Sequence, residues 1–234
     1  MLNWDKSHTA ILVFIRSASI EALHKPLSMS KREAPKLAEL MNERVITQAR
    51  QSGLPTFIVD EQLQKGADFG SRLRSAFQYV FDQGFERVIA IGNDCFELSS
   101  KVLLEAQEHL VHQQVVIGPS YDGGMYLMGL NFQFFQQLDF QRIAWQCPSL
   151  FEEVCKIVEQ KAYSIYLLPL ANDIDTIPDL YKAFRKVKKW CRLLVLIWRL
   201  LCRSVITEAP SQLVIDHHFD RQLLLRGPPK SSLN

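Results

Sequence analysis

Gly92-Asn-Asp-Cys-Phe-Glu-Leu98 places a carboxylate, Asp94, at the end of an apolar run. A strand end holds the backbone rigidly while the side chain reaches solvent. Such a carboxylate suits a hard divalent cation, because Mg²⁺ usually takes one or two carboxylates and keeps the rest of its shell for water and phosphate oxygens. Asp94 could equally cap the next helix or complete an Asx turn. Asn172-Asp-Ile-Asp-Thr176 offers a second pair: in an extended segment Asp173 and Asp175 point the same way, although Asp175 or Thr176 could instead start a helix with Pro178 in its first turn. If Asp94 and Asp175 converge on one ion, the chemistry is transfer at a diphosphate, where a metal neutralises the leaving charge.

Other segments carry weaker signals. In Tyr121-Asp-Gly-Gly-Met125 two glycines allow positive φ and a close approach of ligand to backbone, as would a plain hairpin turn. Lys65-Gly-Ala-Asp-Phe-Gly70 has neither Walker spacing nor GxGxxG. Trp145, in Trp145-Gln-Cys-Pro148, could stack on a sugar or base or pack into the core. His217 and His218 are adjacent, and adjacent side chains diverge in helices and strands alike. No histidine lies near Cys95 in sequence to activate it, so it reads as a buried small residue.

The elements that must position these residues follow from hydrophobic period. Ala10–Ile15 is a continuous branched apolar run, the pattern of a strand covered on both faces. Thr56–Asp60, Arg87–Gly92, Val115–Gly118, Tyr126–Leu130 and Ser164–Leu168 read as further strands. Helical spacing falls between them: Ser30 to Ser52, with Glu33 completing a capping box and Gly53 closing it; Leu73 to Phe81; Ser99 to His112; Ser149 to Lys161; and Pro178 to Trp190. This alternation predicts an α/β fold with a largely parallel sheet. Ligands in such sheets sit beyond the carboxyl ends of the strands. Polar residues gather there: Arg16, Ser17 and Lys25 after the first strand, Asn93, Asp94 and Glu97 after the third, Ser120 and Asp122–Gly124 after the fourth, and Asn172–Thr176 after the last.

Composition sets the frame. The chain has 234 residues, 47% hydrophobic and 22% charged, which suits a folded protein and excludes a collagen-like or disulfide-dense chain. Its net charge of +2 averages two unlike parts. Residues 1–180 hold 16 basic and 22 acidic side chains, a net of −6, while residues 181–234 hold 11 and 3, a net of +8. The acidic part argues against nucleic acid as a partner. Five cysteines without a CxxC pair, and an N-terminal stretch without a basic region followed by an apolar run, lead us to expect a reducing cytoplasm. Leu193–Leu201, the most apolar stretch, is interrupted by Arg199 and is less than half the roughly 20 residues a spanning helix needs.

Taken in order, Phe14–Ser17, Gly66–Leu73, Gly92–Leu98, Gly118–Leu130, Ile143–Pro148 and Asn172–Thr176 resemble an uncharacterised bacterial family of nucleotide-diphospho-sugar transferase-like proteins, some described as glycosyltransferases of arsenosugar biosynthesis. The resemblance implies the Rossmann-like, three-layer A-type glycosyltransferase fold, related in shape to guanylyltransferases that activate small phosphorylated acceptors. It implies a metal-dependent transfer, of a sugar by expectation, from a nucleotide-activated donor to an unknown acceptor. Asp94 and Asp175 would hold Mg²⁺ or Mn²⁺ bridging the donor phosphates. Asp122 is the candidate catalytic residue, beside Gly123 and Gly124 on the acceptor side. Arg16, Lys25, Asn93, Gly123, Gly124 and Trp145 are the candidate substrate-binding residues. Two further readings stay open: nucleotidyl transfer from a nucleoside triphosphate to a small phosphorylated acceptor, and a catalytically silent binding or membrane-associated protein that keeps the fold.

The resemblance has two departures. Relatives carry a Pro-Gly-x-x-Lys-Thr-Arg-Leu-like stretch after the first strand, where this chain reads Ser19-Ile-Glu-Ala-Leu-His-Lys-Pro-Leu27 and keeps only Lys25; and Cys95-Phe96 stands where relatives have Ser-Pro or Thr-Pro. The resemblance spans a domain of residues 1–182. Beyond it, residues 183–234 read as a basic amphipathic helix and an extension. Arg185, Lys189, Arg192, Arg199 and Arg203 form one stripe and Val187, Trp190, Leu194, Ile197 and Leu201 another. Residues 183–203 could lie on an anionic membrane or pack on the domain with a solvated basic face.

Overall fold

Branched apolar runs become strands because both of their faces find cover. The computed structural model describes residues 8–24, 33–112, 115–174 and 179. In it β1 (Thr9–Phe14), β2 (Thr56–Val59), β3 (Arg87–Ile91), β4 (Val115–Pro119), β5 (Met125–Asn131) and β6 (Ile165–Leu167) form one sheet in the order β2-β1-β3-β5-β4-β6. β1 runs parallel to both β2 and β3, and β4 to β6, while β5 is antiparallel to both its neighbours. The expected largely parallel α/β sheet is therefore the observed one. Its single reversed strand follows from the tight 120–124 turn, since only antiparallel neighbours can be joined by so short a connection.

The two-residue period of each strand divides the core. Ala10 and Leu12 of β1, Val88 and Ala90 of β3, and Val115 and Ile117 of β4 face α3 (Phe69–Phe81), α5 (Phe132–Gln137) and α6 (Leu150–Gln160). Ile11, Val13, Ile89, Ile91 and Val116 face α2 (Glu33–Gln51) and α4 (Ser100–His112). Three layers result, as the family resemblance implies.

The differences lie in short helices. α1 (Ala18–His24) occupies a stretch that reads as polar loop, and Glu21, its one buried residue, turns inward. α5 is launched by Asn131, whose Oδ1 accepts from the Phe134 amide at 2.8 Å. α3 starts at Phe69, four residues before its first expected apolar position, because Asp68 accepts from the Ser71 amide at 2.7 Å while the Asp68 amide donates to Ser71 Oγ. Gly53 closes α2 at φ +76, as expected. The Ser30–Glu33 capping box, the helix from Pro178, and the basic helix and extension at 183–234 lie outside the described residues. Among the described residues no helix is long and apolar enough to cross a membrane.

Aromatic packing joins the α3 layer to the sheet edge. Phe77, fully buried, packs against Phe81, Phe135 and Phe140 with ring centroids 5.8–6.2 Å apart. Phe140 stacks on Trp145, Trp145 meets Phe69, and Phe69 meets Phe14 edge-on at the end of β1. We expect Phe77→Ala to lower unfolding free energy by about 3–5 kcal/mol in urea titrations, because the rings around it cannot all move into the space it leaves.

Candidate functional site

The strand ends that converge on one edge of the sheet open into a cavity of about 250 Å³. Arg16 reaches it from beyond β1, and Asn93 and Asp94 reach it from beyond β3. Met125, the first residue of β5, and Trp145 form its far wall. Four of the candidate residues, Arg16, Asn93, Asp94 and Trp145, thus share one cavity. Lys25 and Asp175 lie outside the described residues.

Buried polar ties set the shape of this edge. Asn93 Nδ2 donates to Asn42 Oδ1 at 2.7 Å, and Asn42 Nδ2 donates to the Arg16 carbonyl at 2.8 Å, so α2 couples the loop after β3 to the loop after β1. Gln64 Nε2 donates to the carbonyls of Ile15 and Val59 and ties the ends of β1 and β2. The Ser17 amide donates to Glu61 Oε2 at 2.7 Å, and hydrogen bonds from Ser17 hold the Glu61 carboxyl below its usual range. Arg16 Nη1 lies 3.4 Å from Glu21 Oε2, whose side chain is only 11% exposed.

The loop that carries Asp94 is held from both sides. Arg44 donates to the carbonyls of Cys95, Phe96 and Leu98, with its guanidinium 4.8 Å from the centre of the Phe96 ring. On the other side the chain returns from β6: Cys95 bridges Asp173, the Ile174 amide donates to the Asp94 carbonyl at 3.0 Å, and Asn172 Nδ2 donates to Glu97 at 2.8 Å. Cys95 and Phe96, where the chain departs from its relatives, are buried under this scaffold while Asp94 faces the cavity. Burial first, and the charge of Asp173 second, push the Cys95 thiol up to about 12. It is a packing residue, as expected from sequence.

The Gly-Gly turn has a local role. Asp122 Oδ1 accepts from Ser120 Oγ at 2.5 Å and from the Gly124 amide at 3.0 Å. Gly123, at φ +87, accepts at its carbonyl from the Phe151 amide, and a Cβ on it would collide with the Pro148 carbonyl oxygen. Asp122, Gly123 and Gly124 therefore hold the turn against the 145–151 segment and do not line the cavity that takes Trp145. The Trp145 indole packs into the core, where its Nε1 donates to the Phe140 carbonyl at 2.6 Å, and its ring also lines the cavity. Beside it, Gln146 sits at φ +65, a conformation non-glycine residues seldom adopt outside functional or strongly constrained sites.

Sequence reasoning missed Glu21, Gln64, Arg72 and Gln146 as cavity residues. For Gln64 and Arg72 a signal existed, since Gln64 precedes the Lys65–Gly70 turn and Arg72 belongs to the Gly66–Leu73 block. Glu21 sits in a short helix, and only tertiary contact reveals Gln146.

Fold and site together define a three-layer α/β protein with its cavity at the carboxyl edge of the sheet. A candidate nucleotide-diphospho-sugar transferase from Desulfovibrio desulfuricans G20 shares this fold, with a TM-score of 0.72 at 21% identity over 82% of this chain and 95% of that one. More remote are Rv0371c of Mycobacterium tuberculosis H37Rv (TM-score 0.46, 15% identity, 76% of this chain and 97% of that one) and a cytidylyltransferase from Leptospira borgpetersenii serovar Hardjo-bovis (0.42, 14%, 89% and 100%). Residues 37–147 match the model of the family described as an uncharacterized protein conserved in bacteria, DUF2064. The match bears out the resemblance to an uncharacterised bacterial family and covers the Gly66–Leu73, Gly92–Leu98 and Gly118–Leu130 blocks. No curated protein matches the chain.

Two outcomes follow from this geometry. Gly123→Ala is expected to cost about 3 kcal/mol of stability in denaturant titrations, from backbone strain and the collision with Pro148 together. In the native protein a thiol reagent should label exposed Cys147 and leave Cys95 untouched, which peptide mass spectrometry reads directly.

Proposed function

We propose that the protein is a divalent-metal-dependent transferase that takes a group, a sugar in the simplest case, from a nucleotide-activated donor bound in the cavity at the strand ends. The observation that carries this reading is the hydrogen bond between the Ile174 amide and the Asp94 carbonyl. It brings the chain leaving β6 to the loop that carries Asp94 at the cavity edge of β3, and Asp175 is the next residue in the sequence.

The donor set fits a hard cation. Among the described residues no group of three His, Cys, Asp or Glu side chains is placed to hold a metal. Mg²⁺ or Mn²⁺ needs only one or two carboxylates when a substrate diphosphate completes its shell. Asp94 and Asp175 are the proposed ligands, and the ion would offset the charge that builds on the leaving diphosphate. Arg16 and Lys25 contact the donor phosphates. Asn93 acts through Asn42, which fixes the backbone of Arg16. Trp145 offers its face to the sugar or base, and its buried Nε1 bond keeps the ring in place. The acceptor enters past Met125, on the wall that Asp122, Gly123 and Gly124 support from behind.

The test is thermal stabilisation by nucleotide sugars and nucleoside triphosphates, with and without Mn²⁺, on the wild type and Asp94→Asn. A ligand at a hundred times its dissociation constant adds about 2.7 kcal/mol to the native state. We expect metal-dependent stabilisation by a nucleotide sugar that Asp94→Asn abolishes. Stabilisation by triphosphates alone would replace sugar transfer with nucleotidyl transfer. No metal-dependent shift with any nucleotide, or one unchanged in Asp94→Asn, would refute the site.

A further inference from the structure

Arg16 is not the only cation in the cavity. Arg72 lines it as well, from the start of the second turn of α3. Its placement is specified several times over. Gly66, at φ +139, folds the chain back so closely that a Cβ on it would lie 2.7 Å from Ser71 Cβ and 2.8 Å from the Arg72 nitrogen. The reciprocal Asp68–Ser71 cap then starts the helix. Gly70 lets the Phe140 carbonyl and the Trp145 indole approach the helix, since a Cβ there would collide with the first and lie 2.6 Å from Trp145 Nε1. Phe69, Arg72 and Leu73, three and four residues apart, share one helix face, and all three line the cavity.

The charge state of this wall is unequal. Glu21 partly compensates Arg16 at 3.4 Å. No carboxylate among the described residues forms an ion pair with Arg72. Asp68, at the start of the same helix, is held below the usual carboxylate range by hydrogen bonds from Ser71, with the charge of Arg72 a lesser cause. The Ser71 amide is already taken by Asp68, so an anion arriving here would meet the guanidinium and not that helix-end donor. Phe69, Leu73, Met125 and Trp145 surround the position with apolar surface, which weakens solvent screening. A guanidinium in such surroundings matches the two-oxygen edge of a phosphate.

The geometry points to Arg72 as a phosphate-binding residue of this cavity, supplying from α3 the cationic fork that the 19–27 stretch lacks. That its ligand is the phosphorylated donor rests on the function proposed above. The Gly66–Leu73 motif then has a purpose: its glycines and cap aim one cation across the cavity from Arg16 and Asp94.

The test is calorimetric titration of metal-free full-length protein with inorganic pyrophosphate. Arg72→Gln and Arg72→Lys are compared with wild type and with Arg74→Gln, which removes an equal charge from an exposed residue lying over Phe135. We expect wild type and Arg74→Gln to bind alike, Arg72→Gln to bind at least about tenfold more weakly, and Arg72→Lys to fall between them. Equal affinity of Arg72→Gln and wild type, an equal loss in Arg74→Gln, or no binding by wild type would each overturn the assignment. Should Arg72→Gln fail to fold, Arg72→Lys decides, and wild-type affinity in that variant overturns it. Metal-free pyrophosphate binding that depends on Arg72, in a protein that no nucleotide stabilises through Mn²⁺, would keep the anion site while the metal-dependent reading fails, so the two fail separately.

Discussion

The candidate site depends on the chain crossing its own sheet after β6. In the sheet β6 is separated from β3 by β4 and β5, yet residues 172–174 reach the loop after β3 and bond to it through the Cys95–Asp173 bridge and the Ile174–Asp94 hydrogen bond. Both parallel-running halves of the sheet therefore deliver their outgoing loops to one place. Without that crossing, residues 172–174 would stay at the far edge of the sheet, away from the loop that carries Asp94. Arg44 makes the crossing possible from below, because it satisfies three carbonyls of a loop that has no strand partner on that side.

Aromatic contact provides the second constraint. Phe14, Phe69, Trp145 and Phe140 run in sequence from the end of β1 through α3 to the segment before α6. This chain of rings links the cavity wall to the interior and leaves little freedom for Trp145. The Gly-Gly turn adds a brace at the other end of the same segment, since only a glycine at position 123 can lie against Pro148. Asp122 is bonded within this turn and does not line the cavity.

Much of this was legible beforehand. Strands covered on both faces declare themselves as unbroken apolar runs, as β1 does, and each of the six described strands overlaps a segment read as a strand in the sequence. Helices of three turns or more show their period. Short helices do not: α1 and α5 have too few residues to display a period, and a cap plus a tertiary contact decides them. The candidate residues after β1 and β3 were legible because strand ends in such sheets have a known side. Glu21 and Gln146 were not, since nothing in their neighbours' types reports which cavity they will face.

By itself the sequence determined the class of fold, the edge of the sheet at which polar groups collect and the identity of the carboxylate at the end of β3, because these depend on local period and strand polarity. Only the tertiary structure decided which of those groups share a cavity, and that Arg72 lines the same cavity as Arg16. The shared cavity depends on hydrogen bonds and close approaches between residues some fifty to eighty positions apart, and no local pattern encodes such a pairing.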